Sequence, residues 1–81
     1  MLSRTDYRLA YQRLRAKLRA ARREAELTQA QVARTLGKPQ SYVSKLEIGE
    51  RRLDFVELQI LAQVYQKPVS YFEDEALLPG V

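Results

Sequence analysis

The stretch TQAQVARTLGKPQSYVSKLEIG, from Thr28 to Gly49, reads as two short helices joined by a tight turn. Thr28 and Gln31 stand three apart, the spacing of a capping box, in which a hydroxyl and a side-chain amide satisfy free amides at a helix start. Val32, Ala33 and Leu36 then fall on one helical face. Gly37 follows at once, where a chain leaving a helix often takes positive φ. Pro39 has a fixed φ and no N–H to lose, so it suits the entry to a second helix running from Gln40 through Ile48. Val43 and Leu46, at i and i+3, form its buried pair, while Gln40, Ser41, Tyr42, Ser44 and Lys45 lie elsewhere on its surface. Helices that cross steeply over a three- or four-residue turn need a small residue where their backbones approach. Ala33, four before Gly37, supplies one. The pattern fits a polar helix suited to the DNA major groove. It fits an ordinary helical hairpin of a small bundle as well.

Outside this stretch the chain is narrowly bounded. Its 81 residues, 46% hydrophobic, make one domain with a modest core. A chain this short buries only about 60% of its unfolded surface, so marginal stability is expected. There is no cysteine and no histidine, which removes disulfides, thiolate metal sites and the commonest general base. No metal or cofactor is expected. Gly37, Gly49 and Gly80 cannot make a phosphate loop, and no serine sits in a G-x-S-x-G elbow, so an enzyme is not expected. The sequence holds no apolar run of signal-peptide or bilayer-spanning length, and a cytoplasmic protein without a membrane partner is the expectation.

Charge is uneven. Residues 1–53 carry 13 Lys/Arg against 5 Asp/Glu, a net of +8, whereas residues 54–81 carry 1 against 5, a net of −4. A basic part that holds the polar helix, followed by an acidic part, suggests one face turned to a polyanion. A charged, solvated helix surface is the plain alternative.

The flanking organisation is helical. Met1 to Thr5 reads as a loose arm, and a long first helix is predicted over Asp6–Ala25, rich in Arg, Lys, Ala and Leu. Tyr7, Tyr11, Leu14, Leu18, Ala21 and Ala25 recur at alternating steps of four and three, a narrow seam of coiled-coil type. That seam either covers the bundle's own core or associates with a partner. A fourth helix is marked by Asp54 as cap, Glu57 at its third position and a Leu53–Leu58 staple, and it runs to about Tyr65. It is apolar beyond one stripe, which leaves Ile60 or Val64 for either a dimer contact or complete burial. Pro68 opens a last short helix in which Val69, Tyr71 and Phe72 dock, and Glu73 to Val81 reads as a solvated tail.

The chain also resembles the Cro/repressor-type (XRE-like) helix-turn-helix family from about Leu18 to Phe72. The resemblance lies in Leu18-Arg19, Arg22, Leu27-Thr28-Gln29, Ala33, Leu36-Gly37, Gln40 through Glu47, Gly49 through Asp54 and Leu61-Ala62. It implies an all-α, five-helix DNA-binding domain of phage-repressor type, here with an extended N-terminal helix at residues 6–17, and a homodimeric transcriptional regulator. By match, the base-reading residues are Gln40, Ser41 and Lys45, with Tyr42 and Ser44 beside them. Gln pairs bidentately with adenine, Lys donates to guanine, and Ser serves either way. Gln29 matches the family's phosphate-clamping glutamine at a helix start, next to Thr28. Arg51 and Arg52 are expected to hold the backbone on the other side of the groove and Lys38 to reach it from the turn, with Arg19 and Arg23 as weaker candidates. Arg22 and Glu47 match a structural ion pair. Two departures stand out: Pro39 replaces a Ser or Thr cap, and Lys67 occupies a place that is usually apolar. The competing function is an antitoxin or adaptor module whose main partner is a protein, with double-stranded DNA secondary or absent.

Overall fold

Three capping boxes set where the helices begin. In the computed structural model, which describes residues 1–77, Ser3 caps α1 (Arg4–Glu24), Thr28 caps α2 (Gln29–Leu36) and Asp54 caps α4 (Phe55–Val64). In each, the cap side chain accepts from the third helical amide and the third side chain reaches back to the cap N–H. Between them α3 (Gln40–Ile48) starts behind Pro39 with no side-chain cap. Two 3₁₀ turns, Val69–Phe72 and Glu75–Leu77, follow α4.

The fold is all-helical, and the expectation of five helices is corrected: the described residues hold four α-helices, and the fifth element is a 3₁₀ turn. Pro68 enters it in extended conformation, and Glu73 leaves it extended after four residues, too few for an α-helical ladder. The first helix also begins two residues earlier than expected, because Ser3 and Asp6 close the capping box that turns the supposed arm into a helix start. The acid responds: hydrogen bonds from the Ser3 backbone and hydroxyl hold the Asp6 carboxyl below its ordinary range.

The helices exit through left-handed residues. Gly37 takes φ of 67°, as its position suggested, and Gly49 takes 86°, but Glu26 and Gln66 do the same at 60° and 58°. The amide beyond each bonds back across the last turn: Leu27 to Arg22 O, Lys38 to Ala33 O, Glu50 to Lys45 O and Lys67 to Ala62 O. This is the 6→1 closure of a Schellman end. Gly49 also lies against the end of a long side chain. A Cβ there would lie 2.7–2.9 Å from the guanidinium of Arg15.

The core is one cluster: Leu18 and Ala21 of α1, Val32 and Ala33 of α2, Val43 and Leu46 of α3, Leu61 and Ala62 of α4, then Tyr65 and Phe72. Ala21 and Ala33 are among its small members and are buried. Of the N-terminal seam, Leu18 and Ala21 are buried and Leu14 packs against the cluster, while Tyr7 and Tyr11 remain exposed. Ala10, outside the predicted seam, is buried instead.

The start of the acidic end is docked rather than solvated, a correction to residues 73–77. Asp74 pairs with Arg13, and Lys17 Nζ donates to Glu73 O at 2.8 Å, which fastens the second 3₁₀ turn to α1. The Arg13 guanidinium holds the Asp74 carboxyl below its usual range. Leu78 to Val81 lie outside the described residues. Lys67 stays at the surface, where Nζ pairs with Glu24 at 2.7 Å and sits 4.7 Å from the Tyr71 ring. Its aliphatic stem can take the place of an apolar residue while its charge is met at the surface.

Candidate nucleic-acid interface

Near the end of α3, Glu47 is buried, with a side chain only 3% exposed. Arg22 Nε donates to its Oε2 at 2.7 Å, and Arg22 Nη2 to its Oε1 at 3.0 Å. The two parallel bonds match a guanidinium fork to a carboxylate. The third guanidinium nitrogen, Nη1, donates to Leu27 O at 3.0 Å, in the link between α1 and α2. Gln29 Nε2 adds a bond to Glu47 Oε1 at 3.1 Å, and Arg19 Nη1 donates to the Glu47 carbonyl at 2.6 Å. One acidic residue near the end of α3 therefore ties together α1, the α1–α2 link and the start of α2. The carboxylate holds the Arg22 guanidinium above its ordinary range. Arg19, expected as a minor phosphate contact, gives one hydrogen bond to a free carbonyl at the end of α3.

Tyr65 lies behind this pair. Burial first, and the Glu47 carboxylate second, push its phenol up to about 12, with Arg22 acting in the opposite sense. The neutral phenol is the form the fold favours. Its contribution is therefore complete below the ordinary phenol range near pH 10 and is lost as pH rises from there to about 12. The gap corresponds to roughly 2–3 kcal/mol. A tyrosinate absorbance titration should show one of the five tyrosines ionising late, together with loss of helicity. Tyr65→Phe should remove that step; alkaline unfolding unchanged by the substitution would show that another group drives it.

The opposite face of α3 is open. Ser41, Lys45 and Ile48 follow at i, i+4 and i+7, and all three are exposed. Gln40, exposed, and Ser44, half-buried, flank them on one side. Tyr42 lies on the other flank, partly buried against the core, and its ring carries two cations: the Arg51 guanidinium at 4.6 Å and Lys38 Nζ at 5.6 Å from the centroid. Two residues expected to seek phosphate thus rest on a residue expected to read bases. Arg51 Nη2 also lies 3.5 Å from Glu57 Oε2, a buried oxygen that takes no hydrogen bond. Arg52 stacks on Tyr11 at 5.1 Å and donates to its hydroxyl at 3.3 Å.

At the start of α2, the Thr28 hydroxyl accepts from Gln31 N at 3.1 Å and keeps its own hydrogen free to donate. Gln29 has one amide hydrogen left after its bond to Glu47. Thr28, Gln29, Lys38, Arg51 and Arg52 bracket α3 along the chain, and Lys38 and Arg51 meet at the Tyr42 ring. Ile48 is the residue that sequence reasoning missed. Its exposure of 59% at i+7 from Ser41 puts an apolar side chain on the polar face, and that heptad spacing was its available signal.

No helix among the described residues is long and apolar enough to cross a membrane. The comparisons with curated proteins and with solved structures give no match. The helix-turn-helix family model matches residues 18–72, from the core leucine of α1 to the phenylalanine that closes the first 3₁₀ turn. The glycine-exited helix pair, the exposed face of α3 and that match agree over two-thirds of the chain, which belongs to the Cro/repressor-type helix-turn-helix family of DNA-binding regulatory domains.

Proposed function

We propose that this protein is a transcriptional regulator that reads an operator in the major groove through α3 and does so as a homodimer. The observation that carries the reading is the division of α3 into two faces. One is fixed to the rest of the fold through Glu47; the other leaves Gln40, Ser41 and Lys45 exposed. Gln40 has the donor–acceptor pair that matches adenine N6 and N7, Lys45 donates to guanine O6 or N7, and Ser41 serves either way. Ile48 suits a thymine methyl. Thr28, Gln29, Lys38 and Arg51 take phosphates on either side and set the register.

The dimer rests on α4. Val56 and Ile60, at i and i+4, are 62% and 46% exposed, and Phe55 next to them is 61% exposed. An apolar face of this kind on a small domain has burial still to gain, and a two-fold contact satisfies it with one patch.

Selection of bound duplexes from a random pool tests the reading. The expected result is an inverted repeat whose half-sites are about 34 Å apart, one helical turn. No enriched site, with retention that simply fades in salt, would overturn operator reading and favour the adaptor function, in which the basic α1 and the short acidic end meet a protein.

A further inference from the structure

Resting on the DNA-binding reading, we propose that the N-terminal extension of α1 forms a second, sequence-independent site for the phosphodiester backbone of duplex DNA beside the operator half-site. The site is a groove of about 490 Å³ between the first half of α1 and the loop that joins α3 to α4. Arg4, Arg8 and Arg15 line it from α1, and Arg51 and Arg52 from the loop, with no Asp or Glu in its wall. Among the described residues, Arg51 alone of these five has a carboxylate within ion-pairing distance, Glu57 at 3.5 Å. Among the described residues, four guanidinium groups therefore share a concave surface with no carboxylate in ion-pairing distance. Such a surface concentrates positive potential and is relieved by a polyanion.

Two local features organise the groove. Arg15 lays its guanidinium against Gly49, so a side chain there would have to displace it. Arg52 is held on the ring and hydroxyl of Tyr11. The groove also adjoins the recognition surface, because Arg51, one of its walls, rests on the Tyr42 ring of α3. An anionic strand that follows the phosphate contacts of Lys38 and Arg51 would continue directly into it. A duplex backbone is favoured over a small anion by extent. Arg4 and Arg15 are eleven residues apart on one helix, about 16 Å, a length that matches a run of phosphates rather than one. Arg4, Arg8 and Arg15 all precede residue 18, where the family match begins. The α1 wall of the site thus lies outside the matched residues, while Arg51 and Arg52 lie within them.

The test compares the full chain with Arg4→Ala/Arg8→Ala on a duplex carrying the selected site, with long flanks or trimmed to the half-sites, over a range of salt. Removing one phosphate contact should flatten the log–log salt dependence by about 0.9. The double variant is expected to reduce the slope by about 2 per protomer on the long duplex, to keep the same base preference, and to match wild type on the trimmed duplex. Arg8→Glu should weaken binding further than Arg8→Ala. The thermal midpoints of these variants report folding separately. An unchanged slope, or a loss that persists equally on the trimmed duplex, overturns the backbone site while leaving the operator reading intact. A folded wild-type chain that enriches no site overturns the reading on which the proposal rests. Wild-type binding to an acidic peptide that is lost in Arg4→Ala/Arg8→Ala, with DNA affinity unchanged, assigns the groove to a protein.

Discussion

Glu47→Gln is expected to lower the free energy of unfolding by roughly 3–5 kcal/mol, the cost of leaving a buried charge without its partner. The substitution keeps the shape and one carbonyl oxygen, but it removes the charge and turns the other acceptor into a donor. Arg22 is left with a forked guanidinium 12% exposed, facing a neutral amide where two charged oxygens had accepted its Nε and Nη2 hydrogens. A domain of this size has only about 4–12 kcal/mol in total, so the variant should sit near the edge of folding. Urea denaturation should show the midpoint fall steeply with the slope unchanged. A Glu47→Gln chain as stable as wild type would sink the assignment.

Replacing both partners separates the two roles of this pair. Arg22→Met with Glu47→Leu removes both charges and fills the space with apolar atoms, an exchange that is often neutral or stabilising in other buried pairs. Most of the stability removed by Glu47→Gln should return. Gln29 would nevertheless lose the carboxylate that orients its amide, and the Leu27 carbonyl would lose Arg22 Nη1. The pair is therefore better understood as the device that sets the start of α2 against α3 than as a source of net stability. A double variant as unstable as Glu47→Gln would contradict that view.

The parts of the fold that were legible in sequence are those governed by local chemistry. Thr28–Gln31, Asp54–Glu57, Gly37 and Gly49 each announce a helix end by residue type, and α3 runs from Gln40 to Ile48 as its flanks suggested. Ser3 and Asp6 carry the same signal as the other caps, within a segment that otherwise reads as a loose arm. Glu26 and Gln66 carry none. A glutamate or glutamine with positive φ is imposed by the packing of its C-terminal neighbour, here Leu27 against the core and Lys67 against Glu24 and Tyr71. Tertiary partners far apart in sequence were equally hidden. Asp74 finds Arg13 across 61 residues, and Arg19 finds a carbonyl of α3 across 28. At the interface, residue type indicated Lys38, Arg51 and Tyr42 as separate contacts. Their meeting on one aromatic ring depends on how the turn after α2 and the loop after α3 come back together, which residue type and spacing alone do not encode.

That meeting predicts a division of labour on DNA. Gln40→Ala and Lys45→Ala should each lower affinity for the selected site by roughly 5- to 150-fold, the 1–3 kcal/mol of a good base contact. Both side chains are exposed, so the stability of either variant should stay within about 0.5 kcal/mol of wild type, and binding to unrelated duplexes should barely change. Arg51→Ala should behave oppositely: weaker binding to every duplex alike, with the salt dependence flattened by about 0.9 per protomer. Tyr42→Ala should resemble Arg51→Ala more than Lys45→Ala, because the ring holds Arg51 and Lys38 in place at 4.6 and 5.6 Å. Titrations of each variant against the selected site and a scrambled duplex decide the matter. If Tyr42→Ala changed base preference and left the salt slope intact, Tyr42 would be reading a base directly. If Lys45→Ala weakened both duplexes equally, Lys45 would be a phosphate contact, and reading would fall to Gln40, Ser41 and Ile48.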